Sequence, residues 1–255
     1  MSEVRLSRRK GFTFENLIVD NTNGVYLMRV EKPSSPSLSV FEVTAPLRDG
    51  GEFFKNRYTH REIRVTVGIY DDDIFKRRTL QRYVVENVIG KKGRLYFHDE
   101  PSLFYIAEVF DEVSETDDDQ FFTELEITFK CKPFLYSETY EKYEYKNITT
   151  PSSFKIINEG NYQANPVITI SGTATNVSIT IGDSAFSLTN VNGTVYVDTY
   201  EMVVYTVNSN QVKESFLKNF TGKFPTIKKD INDIRISGTG LNVSVKVDFD
   251  NTYIC

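Results

Sequence analysis

Tryptophan is absent from the sequence, and cysteine and histidine occur only twice each. Without Trp the strongest stacking platform for a sugar ring is missing, and the fifteen tyrosines and nineteen phenylalanines are weaker substitutes. The two cysteines, Cys131 inside an alternating segment and Cys255 at the last position, specify no disulfide framework, which fits assembly in a reducing cytoplasm. No apolar run approaches the roughly 18 residues needed to cross a bilayer, so no membrane partner is expected. Met1 to Gly11 is polar and basic with no apolar stretch behind it, which is not a secretion signal. A basic excess is missing too: at a net charge of -5 the chain lacks the clustered Lys and Arg that grip a duplex by neutralising phosphates.

What is present is alternation. Ile63, Val65, Val67 and Ile69 share one face of an extended segment whose other face carries Glu62, Arg64 and Thr66. Leu125, Ile127, Phe129 and Cys131 alternate in the same way with Glu124, Glu126, Thr128 and Lys130, so Cys131 reads as a small core residue. Between these strands Asp73 is placed to cap a helix with the apolar stripe Leu80, Tyr83, Val84 and Val88, closed by Gly90 in a left-handed conformation. Lys76, Arg77 and Arg78 fall in its first turns, where the macrodipole disfavours positive charge, and Asp71 to Asp73 are the expected compensation.

After Cys131 the texture changes. Lys132, Pro133 and the tyrosine-rich stretch Tyr136 to Tyr145 lead into the turn-prone segment Asn147 to Ser153, which places a domain boundary near Ser137, with domains 1–136 and 137–255. The second half reads as short strands, Val177–Ile179–Ile181 and Val243–Val245–Val247–Phe249 among them, separated by turns at Gly182-Asp183, Asn192-Gly193 and Gly238-Thr239-Gly240. The expected class is mainly β: a β-sandwich-like first domain with one α-helix, then a β-sandwich.

No chemistry-bearing set emerges, and no catalytic, cofactor or metal residue is assigned. His98, Asp99 and Glu100 precede Pro101 between two strand-like runs and read as a turn, and His60 has no ligand-like spacing to them. Gly182-Asp183-Ser184 resembles an esterase nucleophile block, but it joins two strands and no His follows residue 98. Asn147, Asn176, Asn192, Asn219 and Asn242 open glycosylation sequons that mean little without secretion, and the Asp runs 71–73 and 117–119 lack the Gly and later Glu of a calcium loop. The segment Arg48 to Tyr58 stands out, because Phe53 and Phe54 follow Arg48-Asp49-Gly50-Gly51 in what otherwise reads as loop. Either this is a loop folded back into its own core, or it is an arm that buries its aromatic tip in a neighbouring subunit.

Four stretches carry a resemblance to the distal tail (Dit) proteins of siphophages. Val43 to Asp49 with Tyr58 to Val67 resembles the family's strand, glycine-containing arm and second strand, with an Arg-x-Ile core at Arg61 to Ile63. RLYFHDEPSLFYIA at Arg94 to Ala107 resembles its aromatic hairpin, and FKCKPFLY at Phe129 to Tyr136 its domain-closing strand. Gly160 to Gly172, around Asn165-Pro166-Val167, and Lys223 to Gly238 resemble its galectin-like domain.

The resemblance implies a hexameric ring made by the N-terminal domains, with a galectin-like β-sandwich behind each. It implies a structural role in the virion tail, joining the tail tube to the host-adsorption apparatus, with tail tube protein, tape measure protein and a tail-associated hub or fibre protein as partners. DNA passing through such a ring would not be bound specifically. Phe53, Phe54, Arg57 and Tyr58 are the expected subunit-interface residues. The alternative is a lectin-like adhesin that holds cell-wall carbohydrate on polar side chains and a Tyr platform. A cell-wall hydrolase would need a nucleophile with its base, or two convergent carboxylates, and neither is found.

Overall fold

The computed structural model describes residues 11–44, 46, 49–118 and 121–254, and the expectations that rest on residues 1–10, Arg48, Asp119 and Cys255 lie outside them. The chain is mainly β and divides into two compact units, Met1–Tyr136 with Ile254–Cys255, and Ser137–Tyr253.

The first unit contains β1 (Phe12–Phe14), β2 (Leu17–Val19), β3 (Val25–Glu31), β4 (Leu38–Thr44), β5 (Gly51–Tyr58), β6 (Arg61–Tyr70), α1 (Ile74–Val88), β7 (Lys92–Phe97), β8 (Leu103–Glu108), β9 (Ser114–Asp118) and the start of β10 (Phe122–Ile148). The two segments of strongest alternation pair with each other: Val67 faces Leu125, Val65 faces Ile127 and Ile63 faces Phe129, so one face of β6–β10 is a continuous apolar row. Strand order β3-β6-β10-β8-β7-β1-β2 brings that row round onto β1, where Phe12 and Phe14 meet the Phe129 ring edge-on at 5.8 and 5.1 Å. Each fully buried Phe of this kind contributes roughly 1.5–3 kcal/mol from apolar area removed from water.

The helix starts and stops where its sequence says. Asp73 accepts the Phe75 amide at 2.9 Å as N-cap, and Gly90 takes φ +67°, a conformation that costs glycine nothing. Its buried stripe differs from the expectation, being Arg77, Val84 and Val88, while Tyr83 is exposed. Nor do Asp71 to Asp73 neutralise the basic cluster: Arg78 instead reaches Glu115, 3.3 Å away on β9.

Strand β10 passes through the composition change at Lys132–Tyr136 without a break and ends at Ile148, in the segment Asn147 to Ser153 that reads as turn-prone. The second unit adds β11 (Ser152–Asn158), β12 (Val167–Ile181), β13 (Ser184–Asp198), β14 (Val203–Val207), β15 (Lys213–Ser215), a 3-10 turn at Leu217–Asn219, β16 (Phe220–Gly222), β17 (Asp230–Thr239) and β18 (Asn242–Tyr253). Contrary to the reading of short strands, β12 and β13 are 15 residues each and form one long hairpin. Halfway along it Gly172 pairs with Gly193, both at positive φ, and there the hairpin changes partners. Residues 167–173 of β12 pair with β18, whereas 176–181 pair with β17. The two long strands therefore serve two sheets, β10-β18-β12-β13-β14-β15 and β11-β17-β12-β13-β16, enclosing a core of Ile168, Ile170, Val177, Ile179, Val195, Val245 and their neighbours.

Candidate interaction surface

The polar motifs take structural places. His98 lies in the turn after β7 with its Nε2 3.0 Å from Thr13 Oγ1, and Asp183 sits in the β12–β13 turn held by Lys228 at 2.5 Å, which keeps its carboxyl below the usual carboxylate range. Among the described residues no three His, Cys, Asp or Glu side chains gather as a metal set. Cys131 is buried among the core side chains, which pushes its thiol up to about 12 despite the opposing pull of Arg61. Four tyrosines of the second unit are committed to neighbours, while Tyr140 and Tyr200 are exposed: Tyr145 stacks on Phe154 at 3.9 Å, Tyr143 on Phe249 at 6.1 Å, and Tyr196 on Tyr205 at 5.1 Å with the Lys213 ammonium 4.4 Å over the Tyr205 ring.

The segment carrying Phe53 and Phe54 is a strand rather than a loop. Among the described residues β4 and β5 pair only with each other, as a separate two-stranded sheet with Phe41 opposite Phe54, Glu42 opposite Phe53 and Leu38 opposite Tyr58. Neither Phe is anchored in a core of its own: Phe53 is 71% exposed and Phe54 53%. At the root, the Tyr58 ring meets Phe134 edge-on at 5.4 Å and the Thr59 amide donates to the Ser37 carbonyl at 2.9 Å, which fixes the direction in which the hairpin leaves the domain.

Because successive residues of a strand point to opposite sides, the register sorts the side chains into two faces. One face carries Leu38, Val40, Phe53 and Tyr58; the other carries Phe41, Val43, Phe54 and Arg57. A register shift between Ser39 and Val40 inserts an extra residue in β5, and it is this bulge that puts Arg57 on the same side as Phe54. Leu38, Val40, Phe41 and Val43 are all substantially exposed. An isolated hairpin is at best marginally stable in water, and an apolar patch of this kind on a protruding element marks a surface that is covered in use. The four expected residues thus lie on one hairpin but on two faces of it. Leu38, Val40 and Phe41 escaped the sequence reading, which began this strand at Val43, because both phases of LSVFEV carry apolar residues and neither identifies a core side.

Residues 18–131 match the family model described as the phage tail protein RIFT-related domain. Among solved structures, the SPP1 Dit (gp 19.1) protein, described as a paradigm of the hub adsorption apparatus in phages infecting Gram-positive bacteria, is similar with a TM-score of 0.69 at 17% identity, over 93% of this chain and 97% of that one. The phage P2 baseplate in its activated conformation with Ca gives a TM-score of 0.49 at 11% identity, over 94% of this chain and 97% of that one. No curated protein sequence matches.

Proposed function

We propose, for a chain whose residues 18–131 match the phage tail protein RIFT-related domain and whose fold is similar to that of a distal tail protein, that it is a structural ring subunit at the distal end of a long phage tail. Six copies close a ring through their N-terminal domains, which joins the tail tube to the adsorption apparatus. Tail tube protein, tape measure protein and a hub or fibre protein are its partners. The domains meant are 1–136, which carries the ring, and the galectin-like sandwich 137–255.

The single observation that carries this reading is the hairpin β4–β5. A closed ring repeats one heterologous contact, in which one surface of each protomer meets a different surface of the next. An element that leaves its own domain with Phe53 and Phe54 in solvent is the kind of surface such a contact buries. The reading assigns no catalysis, since the chain's work is to hold geometry.

Replacing both Phe53 and Phe54 with Ser tests it. Each buried Phe is worth roughly 1.5–3 kcal/mol, so the pair shifts assembly by about two to four orders of magnitude in concentration. Light scattering with circular dichroism should show a folded monomer for F53S/F54S where the wild type is a ring. A ring of unchanged mass would remove the hairpin from the interface.

A further inference from the structure

A ring contact needs a receiving surface as well as a projecting one, and the first unit contains a second exposed apolar patch. On the outward face of β3–β6–β10, Gly68 has no side chain of its own, and the Met28 and Phe122 side chains lie over it. Tyr70 follows on the same face, directly opposite Phe122 in the register. Met28 and Tyr70 are each about half exposed, and beyond the turn Ile74 and Phe75 open the helix with Phe75 at 81% exposure. Phe75 precedes the buried stripe of α1 and contributes nothing to the core.

The turn between Tyr70 and the helix is Asp71-Asp72-Asp73. Asp71 accepts the Asp73 amide, Asp72 the Tyr70 hydroxyl and Asp73 the Phe75 amide, and among the described residues none of the three makes an ion pair. The charge left over there is therefore negative, beside apolar surface. On the hairpin the complement holds: Arg57 has no ion-pair partner among the described residues, and it shares its face with Phe41, Val43 and Phe54. The hairpin face is apolar with Arg57 near its root and Glu52 near its tip, and the patch is apolar beside three carboxylates that make no ion pair among the described residues.

We infer that the Phe41–Val43–Phe54–Arg57 face of the hairpin docks on the Met28–Tyr70–Phe75 patch of a second copy of this chain, with Arg57 set against the Asp71–Asp73 turn. This rests on the ring reading above and names the two surfaces that meet. The charge pair fixes register and rejects wrong docking, while the aromatic side chains supply most of the affinity.

Charge reversal tests the pairing in the full chain. Arg57→Glu alone, and Asp72→Arg alone, should each weaken ring assembly about tenfold to a hundredfold, read as the protein concentration at which native mass spectrometry shows half of the chains in rings. The double variant R57E/D72R should recover most of that loss. Phe75→Ser, which removes an exposed side chain and leaves the core intact, should weaken assembly on its own with an unchanged far-UV circular dichroism spectrum. If F53S/F54S dissolves the ring but R57E, D72R and F75S leave it unchanged, or if the double variant is no better than the singles, the docking surface is elsewhere and the ring reading stands. If the wild type forms no ring, both are overturned.

Discussion

At the scale of single residues, the most informative side chains are two tyrosines in the second unit. β11 pairs with β17 along one edge, and along its other edge the Tyr143 hydroxyl accepts from the Ile157 amide and donates to the Ile157 carbonyl, while the Tyr145 hydroxyl donates to the Lys155 carbonyl. Backbone groups that would template another strand are thus occupied by side chains, an answer to the hazard of an open sheet edge. Partial burial, reinforced by the neighbouring Tyr143, raises the Tyr145 phenol to about 12 from an ordinary value of 10.0. A group whose folded pKa is raised gives stability that is complete below the unfolded value and lost as pH climbs through the folded one, so this contribution disappears between about pH 10 and 12. Tyr145→Phe should therefore cost about 1 kcal/mol in urea unfolding at pH 8, the worth of one hydrogen bond. That difference from wild type should vanish or reverse near pH 11.5. An identical gap at both pH values would show that the hydroxyl is not what matters.

Among elements, the hairpin β12–β13 sets the shape of the second unit, and its hinge is specific. A Cβ on Gly172 would lie 2.2 Å from the Asn242 carbonyl oxygen and 3.0 Å from Val243 Cα, with φ at +130°. Both contacts are to backbone, so no rotamer change relieves them. Gly172→Ala should lower stability by about 1–3 kcal/mol, where the same change at an unstrained site would raise it slightly. Thermal unfolding of the variant measures this, and an unchanged or higher Tm would contradict the account of the bend.

Much of the element level was legible beforehand. The faces of β6 and β10, the Asp73 cap, the Gly90 stop and the inward side of Cys131 all follow from period-two alternation and local capping chemistry. What was not legible depended on tertiary pairing. The composition change after Cys131 suggested a boundary near Ser137, but not that a single strand, β10, runs on through it to Ile148, since that strand's partners are remote in sequence. Tyr83 was placed inside the helix stripe and Arg77 outside it, since the buried position of an arginine is decided by partners that spacing does not reveal. The arm was recognised from Phe53 and Phe54, but its strand partner was hidden by apolar residues in both phases of Leu38–Thr44.

For the whole molecule, the account turns on assembly. Residues 18–131 match a phage tail domain family and the fold is similar to that of a distal tail protein, and the exposed hairpin supplies a reason why a monomer would be an incomplete state of the ring proposed above. Mass photometry of the purified full-length wild-type chain, combined with negative-stain class averages of the same sample, reads that claim directly. The account predicts one dominant closed ring at six times the 29.3 kDa chain, with six-fold averages and a central opening. A single population at 29.3 kDa over the micromolar range, or open fibres in place of rings, would contradict it.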